Sequence, residues 1–277
     1  MNRIPHLVDD GGPTPGAGAA RAPVLVNRVS DPAGAAGNQI LRGLPPHERA
    51  RLSATLQPVA FALGDVVFDA GARIDHVYFP IGAVASALQT TEDGATVEMS
   101  LTGNDGLVGV TAVLGDDVAA TQTVAVVAGS ALMMRSATLC EEFAAGGALQ
   151  ALLLRYTRDL ITQISQTAVC NRLHGAEQRL CRWLLMCRDR VDGNDLHMTQ
   201  EFIAHMLGGR RETVTVAAGR LQDAGLIRYT RGQITILDRR GLEAAVCECY
   251  GLVENERERL ASGDGARRRP GRSGSRE

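Results

Sequence analysis

The sequence predicts an α+β protein built from an N-terminal β-roll, one long helix, and a group of short helices that ends in a β-hairpin. Three observations carry this prediction. Short β-branched runs separated by glycine fill residues 65–135, which is typical of a small sandwich or barrel. An apolar pattern with alternating steps of three and four residues follows and indicates a helix. Two amphipathic segments joined by Gly208-Gly209 then precede two strand-like runs.

Length and composition suggest two domains in a cytoplasmic protein. At 277 residues, a prior of about 150 residues per domain predicts two domains. No apolar run approaches the ~18 residues that span a bilayer, and the N-terminus lacks the apolar core of a signal peptide. The six cysteines are scattered, as expected of thiols in a reducing compartment rather than of a disulfide framework.

The net charge of −2 conceals an asymmetry between the two halves of the chain. Residues 38–146 carry 5 arginines against 12 acidic residues, whereas residues 171–240 carry 12 arginines against 8. Such a division is typical of a protein in which one domain faces a polyanion, although uneven solvated surfaces would also produce it.

Both ends of the chain are expected to be disordered. Residues 1–37 are rich in Gly, Ala and Pro, and residues 251–277 end in a basic tail. Neither composition is expected to bury enough apolar surface to fold. The run Arg267–Arg269 could contact DNA phosphates, but a solvated tail is the favoured interpretation. The predicted domains between the ends are a β-roll over 38–146, a long helix over 147–172 and a helical domain with a hairpin over 173–250.

Order is expected to begin near residue 38, with Pro46 in the first turn of a helix that runs to about Leu56. The strand-like runs of the roll are DVVFDAG, HVYFPIGAVASAL, TVEMSLTG, TQTVAVVAG and SALMMR. Behind the long helix, GAEQRLCRWLLMCRDR predicts a second helix that buries Leu180, Trp183, Leu184 and Cys187.

The long helix carries a stripe at heptad spacing over about three repeats. The core helix of a monomer would give a similar stripe. A helix between two domains has little other surface to bury it, however, so we predict that the stripe is the seam of a symmetric dimer. Its members are Leu149, Leu153, Tyr156, Leu160, Gln163, Thr167 and Cys170.

Two short helices joined by a glycine turn and followed by a hairpin describe a winged helix-turn-helix. The second helix begins at Arg210-Arg211-Glu212, where arginine is unfavourable for the positive end of the helix dipole. In a helix-turn-helix, this end meets the base edges of the major groove. The sequence therefore predicts DNA binding, the alternative being a surface helical hairpin with solvated charges. The apolar face of this helix is predicted as Val214, Ala217, Ala218 and Leu221.

The order β-roll, long helix and winged helix resembles the Crp/Fnr family of bacterial transcription regulators. The stretch MTQEFIAHMLGGRRETVTVAAGRLQDAGLI is similar to the DNA-reading motif of that family, and LGDVVFDAGARIDHVYFPIGAV looks like its roll. The resemblance implies a cyclic-nucleotide-binding-like β-roll, a dimerisation helix and a C-terminal winged helix-turn-helix.

The chemistry of base recognition, together with this resemblance, assigns roles to the helix-turn-helix. Arg211 would read a guanine, Glu212 a cytosine, and Val216 a thymine methyl. Val216 stands where cyclic-AMP-responsive members have a second base-reading arginine, which leaves the operator sequence open. Phosphate contacts are expected from Thr199, Gln200, Arg210, Thr213 and Arg231.

The sensor end departs from the cyclic-nucleotide binders that it resembles. The cradle is expected at Gly109, Val110, Ala120 and Thr121, with Val110 at the glutamate position and Ala120 at the arginine position. An anion without a cation in its cradle loses its strongest contact, and Asp116 and Asp117 would repel it. We therefore expect a roll that is kept as a scaffold or adapted to another signal, without cyclic AMP.

No other cofactor is predicted. The iron–sulfur members of the family use clustered N-terminal cysteines, whereas this chain has none before Cys140. Cys247 and Cys249 could form a redox pair or half a metal site, but zinc requires four ligands at recognisable spacing, so incidental thiols are favoured. The histidines show no paired spacing, and His76 is interpreted as a turn residue of the roll rather than a haem ligand.

The sequence lacks the GxSxG, P-loop and dinucleotide fingerprints, so we predict a protein that is not an enzyme. The expected partners are double-stranded DNA, a second copy of the chain and an unidentified small-molecule effector, with RNA polymerase as a further candidate and no membrane. The alternative function is a ligand-sensing or scaffolding dimer whose helix-turn-helix no longer reads DNA.

Overall fold

The computed structural model describes residues 24–25, 37–115 and 117–262. The N-terminal domain is a roll of two four-stranded sheets with strand orders β1-β2-β8-β4 and β3-β7-β5-β6. Every strand pair in these sheets is antiparallel. The strands are β1 (Val24–Leu25), β2 (Gln57–Phe61), β3 (Val66–Phe68), β4 (His76–Pro80), β5 (Val84–Thr90), β6 (Thr96–Thr102), β7 (Gln122–Val127) and β8 (Gly129–Arg135).

The predicted roll is confirmed, and β3 to β8 coincide with the glycine-separated runs. Strand β2 was not predicted, since it follows directly on the first helices. Its alternate residues Val59 and Phe61 are buried, and it pairs with β8. Strand β1 pairs with β2, although it falls in the N-terminal extension predicted to be disordered. The rest of that prediction, residues 1–23 and 26–36, lies outside the described residues.

Four short helical segments close the roll. They are α1 (Gln39–Arg42), α2 (Pro46–Ser53), a 3-10 helix (Val110–Leu114) and α3 (Ser136–Ala144). Pro46 is the first residue of α2, as predicted. The buried Asn38 anchors α1: its side-chain oxygen accepts from the backbone N–H of Ile40 at 3.0 Å, and its amide donates to Pro80 and Gly106. Helix α3 was not predicted.

The long helix α4 (Ala148–Leu173) is confirmed to within one residue. The stripe at heptad spacing, however, faces the protein's own chain. Leu149, Leu153 and Tyr156 lie in the core of the roll and are at most 5% exposed, and Leu160 packs against the same core. The prediction that this stripe is a dimer seam is therefore wrong, because a hydrophobic period reports burial without identifying what covers it.

The polar members of the stripe have intrachain partners too. Gln163 forms two hydrogen bonds with the backbone of Leu101 on the edge strand β6. Its side-chain oxygen accepts from the Leu101 N–H at 2.5 Å, and its amide donates to the Leu101 carbonyl at 3.1 Å. The Thr167 hydroxyl accepts from Arg182 at 2.5 Å. Burial of these polar groups requires such partners, which explains polar residues at buried positions of the stripe.

A second stripe on α4 is exposed instead. It repeats with the same alternating steps of three and four residues on the opposite side of the helix. The apolar members Leu154 and Ile161 are 51% and 60% exposed. The full stripe is Ala151, Leu154, Arg158, Ile161, Ser165, Ala168 and Arg172.

The C-terminal domain confirms the predicted helices and hairpin. Its elements are α5 (Ala176–Arg188), β9 (Asp195–His197), α6 (Gln200–Met206), α7 (Arg211–Asp223), β10 (Ile227–Thr230), β11 (Gln233–Ile236), α8 (Arg239–Ala245) and α9 (Cys249–Ser262). Strand β9 was not predicted, and it pairs with β11 to widen the hairpin to three strands. No helix among the described residues is long and apolar enough to cross a membrane.

Residues 251–262 correct the prediction of a flexible C-terminal tail. They continue α9, which packs along α4. Val253 is buried, and Arg158 on α4 forms an ion pair with Glu256 at 3.1 Å. An apolar anchor and the ion pair thus hold this segment to the long helix. The remaining part of the predicted tail, residues 263–277, lies outside the described residues.

The helical domain rests directly on the roll. Apolar residues of the roll such as Leu101 share a core with α5 and α6, and two polar contacts cross the same boundary. Glu98 accepts from the Trp183 indole at 2.8 Å, and Arg190 forms a buried ion pair with Asp105. Burial raises the pKa of Glu98, against the opposing effect of hydrogen bonds from Trp183 and Ser86.

Candidate nucleic-acid interface

The two helices of the turn are set by local capping. Thr199 caps α6, and its hydroxyl accepts from the Phe202 N–H at 3.1 Å, as the sequence predicted. The chain leaves α6 through residues 207–210, and Arg210 becomes the N-cap of α7 without a side-chain capping bond. Because the first N–H groups of a helix have no partner within the helix, this end of α7 can bind an anion or acceptor from outside.

Helix α7 has a buried face and an exposed one. The predicted apolar face is confirmed: Val214, Ala217, Ala218 and Leu221 are buried against the domain. The opposite face presents Arg211, Glu212, Thr213 and Val216 to solvent. Val216 is 55% exposed, which leaves a β-branched apolar side chain uncovered in the middle of an otherwise polar surface.

The arginines at the start of α7 are not neutralised by ion pairs among the described residues. Arg210 and Arg211 are exposed, and neither forms an ion pair with a carboxylate in the described part of the chain. The other arginines of this domain are often paired, for example Arg239 with Asp189 at 2.6 Å and Arg220 with Glu177 at 3.6 Å. The first turn of α7 therefore offers two available guanidinium groups beside one carboxylate, that of Glu212.

The hairpin of β10 and β11 forms a tight wing. Arg231 and Gly232 have φ values of 49° and 78°, the pair of left-handed residues that a type I′ turn requires, and Arg231 is exposed at the tip. Tyr229 fixes the wing to the helices, since its hydroxyl donates to the Met198 carbonyl at 3.3 Å and its N–H donates to Gln222 of α7 at 2.8 Å.

The structure brings the start of α6, which carries Thr199 and Gln200, close to the wing turn and to α7. Thr199 directly follows Met198, whose N–H donates to the Gly232 carbonyl in the wing turn at 2.7 Å. Gln200 accepts from the Thr215 hydroxyl of α7 at 2.7 Å. Thr215 was missed by the sequence analysis, since nothing in the spacing distinguishes it from a solvated threonine.

The cradle predicted in the roll is apolar where a cyclic nucleotide would need charge. Val110 is buried in the roll core together with Phe68, and Gly109 is the N-cap of the 3-10 helix that begins at Val110. Ala120 is exposed and Thr121 is half-buried. Aromatic contacts fill the interior, where Tyr78 packs on Phe61 and Phe68, and burial raises the pKa of Tyr78 to about 12.

The cation near this cradle is already paired. Arg73, which bridges to Val118, lies 2.9 Å from a carboxylate oxygen of Asp117 and 3.5 Å from one of Asp75. Asp116 lies outside the described residues. Residues 109–121 contain no arginine, and Arg73 beside them is already paired, so this segment offers an anionic ligand no unpaired guanidinium.

The cysteines also contain an arrangement that the sequence did not predict. Cys247 and Cys249, interpreted as incidental thiols, lie beside Cys170 and His174 at the end of α4. The sequence spacing does not indicate this cluster, because Cys170 and His174 are more than seventy residues away from Cys247 and Cys249 in the chain. His76, in contrast, begins strand β4 rather than lying in a turn of the roll.

Comparisons with known proteins agree with this geometry. Residues 178–245 match a Crp-like helix-turn-helix domain. FixK2 from Bradyrhizobium japonicum is 15% identical with a TM-score of 0.59, the match covering 69% of this chain and 98% of that one. A CRP-family transcriptional regulator from Thermus thermophilus is 17% identical with a TM-score of 0.56, over 69% and 96% of the two chains.

The c-di-GMP-responsive global regulator CLP from Xanthomonas campestris is 15% identical with a TM-score of 0.54, over 70% of this chain and 100% of that one. At these identities, the similarity establishes a shared fold. A comparison with curated protein sequences gave no match.

The β-roll, the long helix and the winged helix-turn-helix form a two-domain architecture, and a helix-turn-helix is a motif that places its second helix in the major groove of DNA. Residues 178–245 are similar to a Crp-like helix-turn-helix domain, and the chain shares its fold with regulators of the Crp/Fnr type.

Proposed function

We propose that the protein is a homodimeric regulator that reads a two-fold-related DNA site through α7 and does not respond to cyclic AMP. The observation that carries this proposal is the first turn of α7, where Arg210 and Arg211 are exposed without a carboxylate partner among the described residues. The helix beneath them is held by a buried apolar face, so these side chains are presented from a rigid support.

Each predicted DNA-contact residue has a chemical role in this proposal. Arg211 donates two hydrogen bonds to guanine O6 and N7, Glu212 accepts from a cytosine amino group, and Val216 contacts a thymine methyl. Thr199, Gln200, Arg210, Thr213 and Arg231 bind phosphates, which orients the helix without specifying sequence.

The experiment that tests this function is the selection of bound duplexes from random DNA. We expect two inverted half-sites whose centres are about one helical turn, or ~34 Å, apart, and retention that falls steeply with salt. Enrichment of no sequence, together with retention that does not depend on salt, would favour the alternative of a sensing or scaffolding dimer that no longer reads DNA.

We place the dimer contact on the exposed stripe of α4, since the stripe first predicted is buried within the chain. Two copies of α4 could pair through Leu154 and Ile161, while the small residues Ala151, Ser165 and Ala168 allow close approach of the helices. Burying a Leu or Ile side chain contributes about 1.5–3 kcal/mol. Four such side chains at a two-fold contact would therefore contribute substantially to the free energy of association.

Replacing Leu154 and Ile161 with glutamate is expected to give a folded monomer that no longer binds a two-fold DNA site. Both side chains are exposed in the single chain, so the fold should tolerate the change, whereas four carboxylates would face one another in the dimer. Sedimentation and circular dichroism measure the two effects. The matched control is Leu237→Glu, which changes an equally exposed leucine outside α4 and should leave the dimer intact. A double variant that still sediments as a dimer would rule out this seam.

Millimolar cyclic AMP is expected to leave both the melting temperature and the DNA affinity unchanged. The reason is that Val110 is buried in the roll core, Ala120 has no charge, and Arg73 is paired with two carboxylates. Thermal unfolding with and without the nucleotide measures this. A clear rise of the melting temperature would mean that other residues of the roll form an anion site. We propose that any effector of this roll is not a cyclic nucleotide.

A further inference from the structure

A group of soft metal ligands lies where the long helix meets the C-terminal helices. Cys170 belongs to the last turn of α4 and His174 is its C-cap, whereas Cys247 precedes α9 and Cys249 is the first residue of that helix. Their ligand atoms all lie within 4.8 Å of one another. We propose that these four side chains bind one zinc ion in each chain.

The distances fit a single tetrahedral ion. Cys170 Sγ lies 3.6 Å from Cys247 Sγ, and Cys249 Sγ lies 3.4 Å from His174 Nδ1. Sulfur at about 2.3 Å and nitrogen at about 2.0 Å from a tetrahedral zinc are separated from one another by about 3.5–3.8 Å. The observed spacings therefore need little rearrangement to enclose one ion. A cluster of several irons would hold its thiolates further apart.

The ligand set indicates a closed structural site. Three thiolates and one imidazole complete the four-coordinate shell that structural zinc adopts, which leaves no open position for catalysis. The positions suit this arrangement, because Cys170 and His174 are four residues apart at the end of a helix and so share one face. Cys247 and Cys249 approach the same point from the segment that leads into α9.

The groups around the ligands orient them as a metal site would require. Histidine ligands usually donate their second ring N–H to a carboxylate or carbonyl. Here His174 Nδ1 faces Cys249, and His174 Nε2 lies 3.5 Å from a carboxylate oxygen of Glu248. The Gln166 amide donates to Cys249 Sγ at 3.0 Å, an interaction that favours a negatively charged sulfur.

The surrounding charge also points to an anionic centre. Zinc with three thiolates and a neutral imidazole has a net charge of −1. The Arg182 guanidinium lies beside Cys170 and is only 5% exposed. Arg182 forms no ion pair with a carboxylate in the described part of the chain, and its Nε has no hydrogen-bond partner there. Arg182 donates to Thr167 and is within electrostatic reach of Glu98, and a zinc–thiolate centre would place a further negative charge beside this buried guanidinium, where it is stabilising.

Binding at this point would connect α4 to the segment between α8 and α9. Without the ion, the described contacts that hold α9 along α4 include the ion pair of Arg158 with Glu256 and the packing of Val253. Because binding of a metal to the folded state alone stabilises that state, the ion would fasten the end of the DNA-binding domain to the long helix.

The test begins with the full chain, expressed without a metal-binding tag in zinc-supplemented medium and purified with reductant but without chelator. Elemental analysis should give about one zinc per chain. Cys249→Ser should lower the zinc that survives dialysis against a chelator by at least about tenfold, whereas Cys181→Ser, which changes a buried thiol outside the cluster, should keep it.

A second measurement begins with the wild-type protein, whose spectrum does not depend on how well a variant folds. After zinc is removed and cobalt chloride is added, a tetrahedral thiolate site gives intense visible bands and a near-ultraviolet charge-transfer band. These bands should appear in wild type and in Cys181→Ser but not in Cys249→Ser. The proposal is overturned by reduced wild-type protein without stoichiometric zinc, by a weak octahedral cobalt spectrum, or by a Cys170–Cys247 disulfide found in its place.

Discussion

Replacing Arg190 with alanine is expected to reduce the free energy of unfolding by about 3–5 kcal/mol, because it leaves a buried carboxylate without its partner. Arg190 is 1% exposed, and two of its nitrogens reach the Asp105 carboxylate, at 2.6 and 3.1 Å. A third donates to the Met186 carbonyl at 2.8 Å. Urea unfolding followed by tryptophan fluorescence measures the loss, since Trp183 lies at the same boundary.

The pair also explains why the loop after β6 is built on glycine. A Cβ on Gly103 would lie 2.6 Å from the Cβ of Arg190, closer than two such atoms can approach. The arginine stem thus packs against the backbone of Gly103 while its guanidinium pairs with Asp105. One side chain therefore supplies both the ion pair and part of the packing between the domains. Removing the side chain would cost both the charge pair and this packing.

Arg188→Ala is the matched control for Arg190→Ala. Arg188 is the last residue of α5, two residues before Arg190. Its guanidinium donates to Asn194 near the surface, so its removal should change stability by no more than about 0.5 kcal/mol. The double variant Arg190→Met with Asp105→Leu should recover part of the loss, because replacing a whole buried pair by apolar groups is often neutral. Equal effects of Arg190→Ala and Arg188→Ala would mean that the helical domain does not rest on the roll in solution.

The sequence predicted the elements well where one local signal decided the outcome. Glycine-separated strands, the Thr199 cap and the Arg231-Gly232 turn each depend on nearby residues, and each was found as predicted. Strand β9 and helix α9 were missed for the opposite reason. β9 is stabilised by pairing with β11, and α9 by packing on α4, so neither has a strong pattern of its own.

The heptad stripe shows what periodicity leaves open. The pattern at Leu149, Leu153 and Tyr156 identified a buried face correctly but not its partner, which is the roll of the same chain. Gln163 indicates that the stripe does not face a purely apolar partner, because a buried polar side chain needs a hydrogen-bond partner. Its partner is the backbone of Leu101 at the unpaired edge of β6, which no sequence pattern locates.

The cysteines illustrate the same limit for a site. Cys247 and Cys249 alone supply two of the four ligands that zinc requires. The other two, Cys170 and His174, are brought beside them only by the packing of α9 against α4. A constellation divided between a helix end and a distant loop depends on tertiary structure, whereas the surface of α7 could be predicted because its residues are contiguous.

Arg211→Ala is expected to weaken binding to the preferred DNA site by about ten- to a hundredfold and to remove the preference for one guanine in each half-site. A bidentate arginine–guanine pair contributes about 1–3 kcal/mol of discrimination, and a change of 1.4 kcal/mol corresponds to about a tenfold change in affinity. The exposed position of Arg211 on the first turn of α7 makes any effect on the free energy of unfolding small by comparison.

Arg231→Ala in the wing turn is the matched comparison, since it also removes one exposed arginine. It should weaken all sequences alike and make the salt dependence shallower, because a lost phosphate contact releases fewer counterions. Thr213→Ala should act in the same direction but more mildly, because a neutral hydroxyl displaces no counterion. Each variant is titrated against the preferred duplex and a guanine-substituted duplex at two salt concentrations. If Arg211→Ala lowers the affinity for both duplexes equally, Arg211 binds a phosphate and α7 does not read bases at this position.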